Sequence, residues 1–361
     1  MKASRPGASC IVLLAVLGLE FILPGCKKET PPAKPGAPQV SAQEQAAREK
    51  EFLSDPDVVT CKLDEATLAK LDIPEERWPS FVHRIEQQQN KESVQQGTIT
   101  LAGRPFKVLL GQNPQREFYL YDVEKKFGPY WWGSWSLDSY HKIDDTFYEF
   151  MAVDAGGKIA ARPYTGELGL IQVGKGGREL EKVEFNGSVH KAGSVSAPIG
   201  KLDQDWPRPV PECEIPVGDY TAYMIHVTYD NLAIEISNNY HTDAQGVRNY
   251  EDIVYGMKVR KDTPCIIDFS NQPMVVFDQP AAGEASYRRG SEIKFAAVLI
   301  DPKLDVMIRG LDDTSVMVDK EYKDSSGKVI HTAKVRKSLD PKVVITRADG
   351  QVIAEGVMPF G

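Results

Sequence analysis

Residues 273 to 301 read PMVVFDQPAAGEASYRRGSEIKFAAVLID. A β-branched and aromatic run from Met274 to Phe277 meets a proline at 280, and a loop of small and charged residues closes on Arg289-Gly290-Ser291. An alternating run then ends on Asp301. Two short strands with turn chemistry between them account for this order, because branched and aromatic side chains suit a pleated surface while Pro and Gly interrupt it. Downstream, VMVDKEY (316–322), KVIHTAKV (328–335), KVVITRA (342–348) and QVIAEGVM (351–358) repeat the pattern. Asp324-Ser325-Ser326-Gly327 and Asp349-Gly350 supply the corners. About six or seven short strands in under about a hundred residues predict a β-sandwich over 268–361.

The same chemistry extends upstream. TITLAGRPFKVLLG (98–111), REFYLYDV (116–123), TFYEFMAV (146–153), KIAARPY (158–164), LGLIQV (168–173) and LEKVEFNG (180–187) are strand-like, with glycine-rich corners at 154–157, 174–177 and 186–187. EIPVGDYTAYMIHVTY (214–229), NLAIEISNNY (231–240) and VYGMKVRK (254–261) add three more strands. Helical spacing is confined to the N-terminal side. AQEQAAREKEFLS (42–54) is helix-prone and polar, and Trp78, Phe81, Val82 and Ile85 fall on one face of a helix expected over 74–89. The fold class is therefore mainly β, with tandem β-sandwich-like domains and a short helical N-terminal region. The expected divisions are a signal peptide at 1–25, a Pro-rich spacer and polar helix at 26–55, a β-rich domain with an N-terminal helix at 56–200, a β-rich satellite at 201–267 and the sandwich at 268–361. The 273–301 pattern resembles the opening of bacterial immunoglobulin-like domains, which implies binding, spacing or stiffening and carries no chemistry by itself. Pro216-Val217-Gly218-Asp219-Tyr220 likewise resembles the turn that leads into a strand in many extracellular β-sandwich modules.

Composition limits the function classes. The 361 residues include 42% hydrophobic and 26% charged side chains, enough for more than one core. A formal net charge of −8 with no long Lys/Arg block argues against a nucleic-acid partner, since phosphate binding needs a basic face.

Location is carried by the first residues. Lys2 and Arg5 precede an apolar stretch from Cys10 to Leu23, followed by Pro24-Gly25-Cys26. This is the layout of a secretory signal, too short and too charged at Glu20 for a permanent span. Leu23-Pro24-Gly25-Cys26 is similar to the lipobox of bacterial lipoproteins, with Pro24 where a small residue is commoner. The resemblance covers the first 26 residues and implies cleavage before Cys26 and acylation of its sulfur with diacylglycerol, palmitate-type chains serving as the membrane anchor. Several chains make such anchoring stable where one is marginal. Pro31, Pro32, Pro35 and Pro38 then favour an extended spacer. In lipoproteins of two-membrane bacteria, lysine rather than aspartate at position 27 favours the outer membrane over inner-membrane retention. Beyond the membrane, the expected partners are a glycan or another envelope protein.

Candidate chemistry is sparse. With Cys10 in the signal and Cys26 acylated, Cys61, Cys213 and Cys265 remain in an oxidising compartment. Cys213 with Cys265 is the preferred disulfide, buried free thiols the alternative; no CxxC zinc or redox motif occurs. Phe127-Gly-Pro-Tyr130-Trp131-Trp132-Gly-Ser-Trp135 holds three of the five tryptophans. Tyr130, Trp131, Trp132 and Trp135 read as a platform for sugar rings, as a packed aromatic layer, or as a protein-docking patch. The envelope-enzyme alternative would use that platform with Asp144, Asp145 and Glu149 as acid–base groups across a cleft. The six histidines are scattered, with Tyr240-His241-Thr242-Asp243 the one local His/Asp pair. Asp301, Asp305, Asp312 and Asp313 cluster without the spacing of an EF-hand loop. No nucleophile elbow, P-loop, Rossmann or metal signature is present, so no catalytic residue, metal or cofactor is assigned.

Overall fold

The computed structural model describes residues 42–88, 94–111, 117–128, 136–191, 195–204, 207–238, 255–269, 273–279, 295–347 and 349–360. Cys26, the cluster from Tyr130 to Trp135, His241, Asp243 and the loop at 289–291 lie outside the described residues. Strands carry most of the described chain, and the fold is mainly β with several antiparallel sheets.

The chain begins with helix α1 (Ala42–Leu53), strands β1 (Val59–Lys62) and β2 (Asp64–Ala66), and helix α2 (Ser80–Gln88). Strands β3 (Val94–Leu101), β4 (Arg104–Leu110), β5 (Phe118–Asp122), β6 (His141–Ile143), β7 (Thr146–Val153) and β8 (Lys158–Pro163) follow. They form two four-stranded antiparallel sheets, ordered β1-β8-β7-β6 and β2-β3-β4-β5. Alternate residues of a strand face opposite sides, so each sheet can serve two layers. Phe106, Val108, Phe118 and Leu120 pack against Phe150, Ile159 and Ala161 of the facing sheet. Leu109, Tyr119 and Tyr121 face the other way and receive Phe81, Val82 and Ile85 of α2. Strand β5 is consequently buried at all five positions.

Both helices depart from expectation in detail. Only a 3-10 turn forms at Glu75–Arg77, and α2 starts at Ser80. Pro79 lacks the N–H that a helix passing through it would need, while its carbonyl accepts the Val82 N–H at 2.9 Å as the new helix begins. Helix α1 does not simply extend a stalk. Its Phe52 is buried with Val153 and Ala160, the Arg162 guanidinium lies 4.4 Å from the Phe52 ring centre, and Glu49 accepts the Asp154 N–H at 3.0 Å.

The second half contains β9 (Leu168–Val173), β10 (Val183–Lys191), β11 (Val195–Ile199), β12 (Glu212–Pro216), β13 (Gly218–Tyr229), β14 (Leu232–Asn238), β15 (Met257–Val259) and β16 (Cys265–Ile267). Beyond them lie β17 (Met274–Gln279), β18 (Ala296–Asp301), β19 (Val306–Lys323), β20 (Val329–Ser338), β21 (Lys342–Thr346) and β22 (Val352–Val357). A nine-stranded sheet runs β11-β10-β13-β14-β19-β18-β17, with β15 also on β13 and β20 also on β19. A three-stranded sheet, β12-β9-β16, covers part of it: Ile171, Ile215 and Ile267 join Phe185, Ile225, Val227 and Ile236 in one core. The Pro216–Tyr220 turn is closed by the Tyr220 hydroxyl, which donates to the Pro216 carbonyl at 2.7 Å.

Hydrogen bonding crosses both boundaries that the sequence suggested in this half. Strand β12 pairs with β9 across position 200, and β14 pairs with β19 from Leu232↔Asp313 to Asn238↔Val306 across position 268. Leu304, Val306 and Ile308 therefore complete the core begun by β10, β13 and β14 instead of closing one of their own. The preferred disulfide is also corrected. Cys213 and Cys265 are free thiols, both in register with Ile171, one on each side of β9. Strands lie about 4.8 Å apart, so the two Cα atoms are separated by about twice that, beyond the roughly 7 Å that a disulfide can bridge.

Candidate functional site: a cleft under the C-terminal hairpin

Strand β19 changes character along its length. Its first residues are buried against β14 and β18, and its last nine are exposed. Two irregularities mark the change. Glu235 pairs with Gly310 and Ile236 with Ile308, which leaves Arg309 as the extra residue of a β-bulge. A second shift skips residues 314–316, where the Asp313 carboxylate accepts the Ser315 N–H at 2.9 Å and its hydroxyl at 2.5 Å. Beyond this point β19 and β20 form a two-stranded ribbon with two faces. Asp319 and Lys334 lie 3.7 Å apart on one face, with Met317 opposite Arg336. On the other, Val318 lies opposite Val335, and the Tyr322 and His331 rings stack at 5.9 Å.

After the ribbon the chain folds back. The Leu339 N–H donates to Leu311 at 2.7 Å, Met358 N–H to Pro341 at 2.9 Å, and Phe360 N–H to the Asp340 carboxylate at 3.1 Å. These bonds hold the β21–β22 hairpin over β17, β18 and β19, and Phe360 packs against the main core. The cover is incomplete. A cavity of about 120 Å³ remains between the hairpin and the sheet, with Val275, Phe277, Leu299, Ile308, Val343 and Phe360 among its walls. Every residue lining it is apolar except Arg309 and Lys342.

Two of the three carboxylates considered for acid–base work, Asp144 and Glu149, are held in ion pairs. Asp144 accepts from Arg104 at 2.5 and 3.0 Å and from Lys125 at 2.7 Å. The Arg104 hydrogen bond, helped by Lys125, holds its carboxyl down at about 2. Arg104 also binds Asp122, buried at 1% exposure, at 2.7 Å. Glu149 accepts from Arg162 at 3.0 Å, and Asp145 lies exposed in the turn between β6 and β7. A carboxylate clamped by guanidinium groups is a structural ion pair rather than a proton shuttle.

The acidic residues that cluster in the sequence, Asp301, Asp305, Asp312 and Asp313, do not gather as a ligand set among the described residues. Asp301 uses one oxygen to accept the N–H groups of Lys303 and Leu304 at 2.8 and 3.0 Å, capping the β18–β19 turn, while Asp312 and Asp313 lie along β19. Among the described residues no three His, Cys, Asp or Glu side chains gather as metal ligands. Burial lowers His141 and His190 to about 4, which keeps both imidazoles neutral near pH 7. Sequence reading missed the cleft and also the contact of Lys191 with the Tyr140 hydroxyl at 2.5 Å. Both bring together segments distant in the chain, and alternation alone, as in Val343-Val344-Ile345, signals only that a strand has an apolar face. Comparison with family models, curated proteins and solved structures finds no match to this chain.

Proposed function

We propose that this chain is a lipid-anchored protein of the bacterial cell envelope, with the outer membrane favoured, whose β-rich body presents a binding or structural surface. The lipobox-like Leu23-Pro24-Gly25-Cys26 and the Pro-rich spacer support the anchor. The observation that carries the binding role is the β19–β20 ribbon, which leaves Val318, Tyr322, Val329 and Ile330 exposed. A two-stranded ribbon is marginal alone in water, and among the described residues no further strand pairs with this one beyond residue 313, so a partner stabilises it.

The test has two arms. Palmitate labelling with membrane fractionation should find the native chain labelled and sedimenting with membranes, and Cys26→Ser unlabelled and released. A photo-crosslinker at position 322 in the anchored protein should give a discrete adduct that disappears when Val318 and Ile330 become serine. An unlabelled native chain, or crosslinking indifferent to those substitutions, would count against the reading.

A further inference from the structure

We propose that the β19–β20 ribbon lies on an anionic phospholipid surface, with the face that carries Val318, Lys320 and Tyr322 against the head groups. The inference rests on the reading of the ribbon as a binding surface and names its partner; it does not depend on acylation of Cys26.

Charge sets the ribbon apart from the rest of the chain. Between Val316 and Ser338 stand six Lys and Arg against three Asp and Glu, in a chain whose formal net charge is −8. The three acids are already engaged. Asp319 lies 3.7 Å from Lys334, Glu321 lies 3.3 Å from Lys323, and the Asp324 carboxylate accepts the N–H groups of Ser326 and Lys328 at 2.9 and 3.0 Å within the turn. Lys320, Lys328 and Arg336 make no ion pair among the described residues. Cations in excess of their own carboxylates are complementary to an anionic partner.

The apolar side chains choose among anionic partners. Val318, Lys320 and Tyr322 share a face with Val335, Ala333 and His331 opposite them, and no carboxylate stands in these pairs. The Lys320 ammonium lies 5.6 Å from the centre of the Tyr322 ring. The register shift at Tyr322 leaves Ile330 as the extra residue of a bulge, at 66% exposure. A tyrosine ring beside lysine, with shallow aliphatic groups around them, suits the head-group layer: the ring takes the boundary, the aliphatic groups reach the first methylenes and the cations meet phosphate. A second copy docked by the same face would set Lys320 against its like. The strand edges fix the depth. No further strand pairs with the ribbon beyond residue 313 among the described residues, and unpaired N–H and C=O groups do not enter hydrocarbon, so the ribbon lies flat in the hydrated head groups and only side chains reach deeper.

The experiment reconstitutes the full chain, carrying a benzophenone side chain at position 322, with vesicles of phosphatidylcholine alone or of phosphatidylcholine and phosphatidylglycerol in equal parts. Phospholipid adducts are read by mass spectrometry after irradiation. The adduct should be about tenfold stronger on the anionic vesicles and fall as salt is added. Lys320→Glu with Lys328→Glu changes two exposed side chains, so the melting temperature should hold. The adduct should then drop to the level seen on phosphatidylcholine, because each cation near an anionic surface strengthens binding about fivefold. Val318→Ser with Ile330→Ser should lower it on both vesicles. An equal adduct on the two vesicles, no phospholipid adduct, or indifference to the charge reversal would overturn the proposal. A protein adduct at position 322 in cells, with no phospholipid adduct on vesicles, would overturn it while leaving the binding-surface reading intact; the absence of both would take that reading down as well.

Discussion

Cys213 and Cys265 are both in register with Ile171, from opposite sides of β9, so one strand keeps apart two thiols that the sequence would pair. Burial pushes each thiol up to about 11, and burial raises the Cys61 thiol as well. The thiolate is the reactive form, so all three should resist modification while folded. Iodoacetamide at pH 8 should label none of them in the native protein and all of them in denaturant. A peptide linking 213 to 265 in a non-reducing digest would refute this.

Arg104 is the hub of a charge network, binding Asp122 and Asp144 together. Arg104→Ala leaves the Asp122 carboxylate buried without its cation, and the expected loss is about 3 kcal/mol in a denaturant melt. Asp144→Asn should cost less, because its side chain is 43% exposed and solvent screens the pair. Its pH dependence has a definite sign. The folded carboxyl titrates at about 2, below its ordinary 3.8, so its contribution is present above the ordinary value and is lost as pH falls through about 2. Melting temperatures of parent and Asp144→Asn should differ at pH 7 and converge towards pH 2.

Tyr220 is fully buried, and its hydroxyl bond to Pro216 fixes the turn that starts β13. Tyr220→Phe keeps the ring and removes only the donor, leaving the carbonyl one partner short. A loss of about 1 to 2 kcal/mol is expected by chemical denaturation, with the circular dichroism of the folded state unchanged. No loss at all would mean that water replaces the hydroxyl.

Gly187 occupies φ +137, and a Cβ there would meet the Met224 carbonyl oxygen at 2.1 Å. Only glycine adopts this backbone without strain, and the obstacle is main chain of the neighbouring strand, which cannot swing aside. Gly187→Ala should destabilise by about 3 kcal/mol or more. A thermal shift within a degree or two of the parent would show that β10 and β13 can separate locally.

Much of the architecture was legible locally. The runs from Phe118, Thr146, Lys158 and Gly218 are strands, because branched and aromatic residues bounded by glycine corners have little alternative. Partner choice was not legible. Nothing in NLAIEISNNY says that its outer edge waits for residues 306–313, and the boundary expected at 268 fell between two strands that share a ladder. The same limit hid the cleft. Val275, Arg309 and Lys342 belong to three separate strands, and only the folding back of β21–β22 brings them to one wall. Asp144 stood among the acid–base candidates because its cations, Arg104 and Lys125, come from other elements and are not legible beside it in the sequence.

The β14–β19 ladder also sets an order of events. Strand β14 is finished by residue 238, yet its second edge stays open until Val306 to Asp313 have been made and delivered. During synthesis the growing chain therefore carries an unsatisfied strand edge for some time, the kind of template on which nascent proteins aggregate. Pairings this far apart in sequence also form slowly, because the intervening loop must be closed before any contact rewards it. A chain that stops short of residue 306 would lack the strand that seals its largest sheet.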